Sequence, residues 1–178
     1  MRVITGKYKG RKLVAPQGET RPTLDRTKET LFNILNPYIK DAVVLDLFAG
    51  SGQIAIEFLS RYAKRVVLCD NDKFAVKAIT ENFNKIGEKP ELYVCGYEDC
   101  LKRQNCKFDL IFVDPPYRSG YYESVLTAIE NNGLLLEDGI VVCEHSADEE
   151  LSISVGGLSA YDCRKIGTVK FTFYRRSL

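Results

Sequence analysis

No apolar stretch in this chain of 178 residues approaches the ~18 needed to cross a bilayer. The longest, such as Leu110–Val113 and Ile140–Cys143, are strand-sized. The opening Met1-Arg-Val-Ile-Thr-Gly-Lys7 lacks the apolar core of an export signal, so a cytoplasmic protein is expected, with no membrane partner. Histidine is nearly absent, His145 being the only one, and the six cysteines form no Cys-x-x-Cys pair. Cys95-x4-Cys100 and Cys143-x-His145 make a poor zinc set, so no metal is expected and the thiols read as reduced and mostly buried. Internal repeats and low-complexity linkers are missing too. What remains, with 45% hydrophobic and 28% charged residues, is a soluble globular chain able to bury roughly 70% of its unfolded surface.

The net charge of +1 hides a segregation. Residues 1–40 carry nine Lys/Arg against three Asp/Glu, residues 41–163 eleven against twenty-one, and residues 164–178 five against none. Two basic ends around an acidic body point to a polyanion held at one edge, with nucleic acid the first candidate.

Residues 1–14 read as a β-hairpin whose tip sets Lys7, Lys9 and Arg11 around Tyr8, with Lys12 opening the run that follows. A helix follows, capped by Thr23 or Thr27, with Leu24, Leu31, Ile34 and Leu35 at helical spacing. This basic unit, residues 1–40, is expected to extend a second unit over 41–178, the two forming one compact body. From residue 42 strands and helices alternate. Strands are expected at Ala42–Phe48, Arg65–Asp70, Leu92–Cys95, Phe108–Asp114 and Ile140–Glu144, and a closing hairpin near 160–174. Helices are expected near Ile54–Leu59, from Asn71 or Asp72 to Ile86, and over Tyr121–Asn131. That alternation predicts an α/β fold, a doubly wound, mostly parallel sheet with one antiparallel strand near the end.

Asp46-Leu-Phe-Ala-Gly50-Ser-Gly52 joins the first strand to its helix, and Asp70 ends the second strand. Glycines there admit a ligand close to the backbone, and Asp70 is placed to accept from ribose hydroxyls. Gly50-x-Gly52-x-x-Ala55 also fits a dinucleotide fingerprint. Asp46, however, suits a cationic, amine-bearing ligand better than a pyrophosphate. S-adenosylmethionine carries a sulfonium and an amino group and no phosphate.

Asp114-Pro115-Pro116-Tyr117 ends the fourth strand, at the same sheet edge. The prolines stiffen the turn, so that the Asp114 carboxylate and the Pro115 carbonyl can accept from both hydrogens of one exocyclic amine. Tyr117 offers a face on which a base can stack, worth ~1–3 kcal/mol.

Both turns together resemble those of the class I S-adenosylmethionine-dependent amino-methyltransferases. With Arg21-Pro-Thr-x-Asp25-Arg-x-x-Glu29-x-Leu-Phe-Asn33 and the opening Arg2-Val-Ile-x-Gly6-x-x-x-Gly10-Arg-Lys-Leu13, nearly the whole chain is similar to the RsmD family, which methylates guanine N2 in 16S ribosomal RNA. The resemblance implies a seven-stranded Rossmann-like sheet with an N-terminal hairpin, and S-adenosylmethionine as cofactor. It implies a pocket lined by Asp46, Phe48, Ala49, Gly50, Ser51 and Gly52, with Asp70 and Asn71 at the ribose. The adenine would meet Glu98, Asp99 or a backbone group. Asp114, Pro115, Pro116 and Tyr117 would hold the target guanine, splayed out of its helix. The partner would be 16S RNA within a small-subunit particle, met by a monomer through Lys7, Tyr8, Lys9, Arg11 and Lys12, with Arg21, Arg26 and Lys28 extending the track. The reaction needs no histidine, so His145 reads as structural. Three rivals stand beside this reading: the same chemistry on adenine N6 of DNA or a protein glutamine amide, a dinucleotide-dependent oxidoreductase, and a non-catalytic RNA-binding module.

Overall fold

The first buried apolar run becomes β1 (Val43–Asp46), which pairs in parallel with β2 (Arg65–Cys69) on one side. β3 (Glu91–Tyr93) lies beyond β2, and β4 (Phe108–Val113) flanks β1 on the other side, followed by β5 (Leu135–Ser146), all parallel. β1, β2 and β4 are rich in Val, Ile, Leu and Phe because both faces of a parallel sheet are covered. β6 (Ser154–Val155), β7 (Leu158–Ile166) and β8 (Val169–Arg176) complete the order β3-β2-β1-β4-β5-β8-β7-β6, with β8 antiparallel to β5. The computed structural model describes residues 1–18 and 25–178; Arg21, the cap at Thr23 and Leu24 lie outside the described residues.

The α/β class and the doubly wound parallel core agree with the sequence reading. The strand count is eight, not seven. The extra strand, β6, is a two-residue edge pairing against β7, too short to leave a periodic signal. β5 also starts at Leu135, five residues before the apolar run that marks it, across a register shift between Phe108 and Leu110.

Helices α1 (Asp25–Leu35), α2 (Gln53–Ser60) and α3 (Lys73–Ile86) cover one face, packing Leu31, Phe32, Ile54, Phe58, Ile79 and Phe83 on Val44, Leu68, Phe112 and Val142. On the other face α4 (Tyr97–Arg103) and α5 (Tyr122–Asn131) cover Leu45, Val67, Ile111 and Val141. α4 was not expected: its seven residues offer only Cys100 and Leu101 as a buried pair. Asp72 caps α3 by accepting from the Phe74 and Ala75 amides at 2.8 and 2.9 Å. Strand order reverses between β1 and β4, so loops on the carboxyl ends of these two strands part and leave a crevice, the usual ligand position of an open α/β sheet.

The N-terminal arm is a turn closed by one antiparallel bridge, Arg2 to Lys12, instead of two regular strands. It is fixed to the body from below. The buried Glu57 carboxylate accepts from the Ile4 and Thr5 amides at 2.9 and 3.1 Å and pairs with Lys28 and Arg61 at 3.4 and 3.1 Å. Ser60 and Asn82 add hydrogen bonds to Tyr8 and Val14. Gly6 sits at φ +90 with its α-carbon so close to Ser60 that an added Cβ would fall 1.8 Å from that residue's carbonyl oxygen. Glycine is obligatory there.

Candidate functional site

Four carboxyl groups converge on the crevice. Asp46 ends β1 and is 1% exposed, and neither of its oxygens has a hydrogen-bond partner of acceptable geometry among the described residues. Burial pushes its carboxyl up to about 8, with Asp114 and Asp70 raising it further and the Ala55 amide opposing least. Glu144, near the end of β5, is buried with Oε2 unpartnered among the same residues, and burial, Asp114 and Asp46 raise its pKa well above the usual carboxylate range. Asp114 is half-buried just past β4. Asp70 is already engaged: it accepts from the Gly50 amide at 2.8 Å and the Asp72 amide at 2.9 Å, tying the glycine turn to the start of α3.

The glycine turn divides by role. Gly50 adopts φ +55, and a Cβ built there would meet nothing within 4 Å, so its backbone faces open space that a ligand can enter. Gly52 differs. At φ +76 its α-carbon faces Ile79, Phe83 and Leu68, which an added Cβ would meet at 3.3–3.5 Å, so its missing side chain serves close packing of α3 on the sheet. Ser51 is buried, its hydroxyl turned to the Gln53 amide and the Met1 sulfur and its carbonyl accepting from Asn82. Its side chain is thus engaged at the start of α2. The buried Ala49 donates its amide to the Cys69 carbonyl at 3.0 Å, and Asn71 is exposed beside Asp70.

An aromatic row flanks this floor. Phe48 lies 5.7 Å from Tyr97, which lies 5.6 Å from Tyr121, ring centre to ring centre. The Tyr97 hydroxyl lies 3.3 Å from the exposed Glu98 carboxylate and 3.1 Å from the Ser124 hydroxyl, and can donate to either. The sequence reading missed Tyr97 and Tyr121; aromatics opening two successive helices on one sheet edge are the signal that was there to use.

In the proline turn Pro115 is buried, whereas Pro116 and Tyr117 project into solvent. The turn closes with the Ser119 amide on the Pro116 carbonyl at 3.0 Å, and Arg118, in the left-handed region at φ 54, lays its guanidinium 5.2 Å from the Tyr117 ring centre. A cleft of about 310 Å³ opens beside it between Arg118, Gly120, Ser146, Asp148 and Glu149. His145 bonds to Thr172 and the Ser146 carbonyl, a structural position.

The basic arm needs two corrections. Tyr8 is buried and its hydroxyl donates to Glu88, so it offers no stacking face. Lys28 is fully buried and held by Glu57 and the Arg2 carbonyl, out of reach of any phosphate. Lys7 is exposed but paired with Glu88 at 3.2 Å. Lys9, Arg11, Lys12 and Arg26 are exposed and make no ion pair among the described residues. Among the same residues no cluster has the makings of a metal site, and no helix is long and apolar enough to cross a membrane.

Chemically, this is a floor for a cation. The buried acids Asp46 and Glu144 offer a pyrophosphate no basic partner, which weakens the dinucleotide reading.

Comparison with known proteins agrees with this chemistry. A family model described as conserved hypothetical protein 95 matches residues 1–175. Ribosomal RNA small subunit methyltransferase D of Escherichia coli is 33% identical over 178 residues, covering 99% of this chain and 90% of that protein. Its namesake from Haemophilus influenzae is 36% identical over 157 residues, covering 85% and 81%. A solved Escherichia coli structure, described provisionally as a methyltransferase, superposes with a TM-score of 0.88 at 34% identity, covering 99% of this chain and 98% of that one.

Proposed function

The chain belongs to the RsmD family of small-subunit ribosomal RNA methyltransferases, and from that premise we propose that it moves a methyl group from S-adenosylmethionine to the exocyclic N2 of a guanine in 16S ribosomal RNA. The observation that carries the proposal is the buried Asp46, without a well-formed hydrogen bond among the described residues, beside the open backbone of Gly50 and one strand away from Asp114-Pro-Pro-Tyr117.

When bound, the cofactor supplies a methyl group on a sulfonium, an already good leaving group. The protein's share is therefore positioning and exclusion of water. Asp46 holds the cationic end, Asp70 accepts from the ribose hydroxyls with the lone pairs left over from Gly50 and Asp72, and Phe48 and Tyr97 flank the base. Asp114 and the Pro115 carbonyl accept from the two amine hydrogens, drawing the nitrogen lone pair out of conjugation and aiming it along the line of displacement. Tyr117, exposed and stiffened by Pro116, stacks on the target ring. The proton released after transfer passes to Asp114 or to water.

A cation beside Asp46 lowers its pKa, so binding at neutral pH expels a proton. Affinity should then rise with pH through the neutral range and level off above about 8, once Asp46 is ionised in the free protein. Calorimetric titration in two buffers of different ionisation heat reads the released proton directly. Equal heats in both, or proton release undiminished in Asp46→Asn, would contradict the assignment.

Phosphate binding falls to Lys9, Arg11 and Lys12. Replacing all three with alanine should weaken RNA binding and flatten its salt dependence by about 0.7–0.9 in slope for each phosphate no longer neutralised, without changing which RNA is preferred. A slope equal to wild type removes the arm from the RNA surface. The proposal as a whole is tested by offering labelled cofactor with unmodified small-subunit particles, free 16S RNA, DNA and ribosomal protein. Label in RNA alone supports it, and label only in DNA or protein transfers the same chemistry to another acceptor.

A further inference from the structure

Glu144 is the one buried acid of the crevice to which the mechanism above gives no task. The parallel register sets Val113 beside Cys143, both packed against the α4 and α5 layer. One residue further on, Asp114 and Glu144 therefore turn to the opposite face, the face shared by Asp46 and Phe112. Glu144 is 8% exposed, its Oε2 is buried with no hydrogen-bond partner among the described residues, and its nearest charges are Asp114 and Asp46. On β8 it faces Phe171, which carries no charge, and the Tyr122 hydroxyl of α5 reaches only its backbone carbonyl. No cation among the described residues neutralises it. A buried, unpaired acid on the acceptor side of the proline turn is costly unless a ligand completes it.

We propose that Glu144 reads the ring edge of the acceptor base, its carbonyl oxygen accepting from guanine N1–H while its hydroxyl donates to O6. The proposal rests on guanine N2 being the acceptor. With the exocyclic amine fixed by Asp114 and the Pro115 carbonyl, the next group along the purine edge is N1–H, then O6. A neutral carboxyl presents the complementary acceptor and donor in one plane, whereas an ionised one presents only acceptors and would meet O6 with like polarity. Burial, with Asp114 and Asp46 close by, raises the Glu144 pKa well above the usual carboxylate range and so favours the neutral form. Adenine reverses the pattern at N1, so the pairing selects guanine.

The test compares wild type, Glu144→Gln and Glu144→Leu in methyl transfer to unmodified small-subunit particles across pH, with cofactor affinity measured alongside. Gln keeps one acceptor and one donor in the same plane and cannot ionise. It should hold kcat/KM within about threefold of wild type at neutral pH and lack the alkaline fall expected of wild type as Glu144 loses its proton. Leu fills the space but pairs with nothing, and should lower kcat/KM about ten- to a hundredfold with cofactor affinity unchanged, which also shows that the variant is folded. The proposal is overturned if Leu is as active as wild type, if Gln is as impaired as Leu, or if the alkaline limb survives in Gln. A wild-type protein that labels no RNA would sink the acceptor reading itself, and this one with it. An active wild type with an indifferent Leu variant sinks this one alone.

Discussion

Asp114→Ala should lower kcat for methyl transfer by about 10²–10⁴-fold while leaving cofactor affinity within a few-fold of wild type. The side chain sits just beyond β4, half-buried, between the cofactor floor and the exposed Tyr117. Its loss removes an acceptor for the reacting amine, so the nucleophile regains conjugation with its ring and loses its aim. Asp114→Asn separates aim from charge, because the amide oxygen still accepts one hydrogen bond. If positioning is the main contribution, Asn recovers activity to within about tenfold of wild type. A rate for Asn as low as that of Ala would mean that the negative charge, as proton acceptor, matters more than the geometry. Full activity in Ala would remove the proline turn from catalysis and revive the RNA-binding module.

Glu57→Ala should destabilise the fold by about 3–5 kcal/mol, the usual cost of stripping one partner from a buried ion pair. Lys28 and Glu57 are both fully buried, Arg61 is almost so, and the same carboxylate accepts from the Ile4 and Thr5 amides. Burial already pulls the Lys28 pKa down, and Glu57 is the largest influence holding it up. Without Glu57 the lysine falls further below its unfolded value. The unfolded chain then binds more protons over the interval between the two, so the variant's stability deficit shrinks as pH rises toward about 10. Urea unfolding at several pH values reads both effects. A deficit under about 1 kcal/mol would mean that water reaches the cluster and screens it. The arm should loosen in the same variant, since its first two anchored amides lose their acceptor.

What was legible in the sequence is what chemistry concentrates in short runs. The glycine turn, Asp70 and the proline turn each lie at a strand's carboxyl end, and strands of a parallel sheet are apolar enough to find without an alignment. Their meeting at one edge follows from topology alone. Pairings made at long range were not legible. Lys28 looked like one more cation of a basic helix, because its partner Glu57 lies on α2 and was itself one charge in an amphipathic pattern. Tyr8 looked like an aromatic among lysines, yet Glu88, just past the end of α3, draws its hydroxyl inward. Gly52 and Ser51 fit a ligand motif, and nothing local shows that one also makes room for Ile79 and Phe83 or that the other's hydroxyl also meets the Gln53 amide. Glu144 gave the faintest sign of all. It is an acid ending an apolar strand, and its meaning appears only when β4 is laid beside it in register.

The central claim is that the acceptor atom is N2 of a guanine in small-subunit RNA. Its most direct test is to digest small-subunit particles labelled by the pure protein and identify the methylated nucleoside by chromatography and mass. The account predicts N2-methylguanosine as the labelled species, absent when Asp114→Ala replaces wild type. N6-methyladenosine, a methylated protein amide, or label that persists undiminished in Asp114→Ala would contradict it.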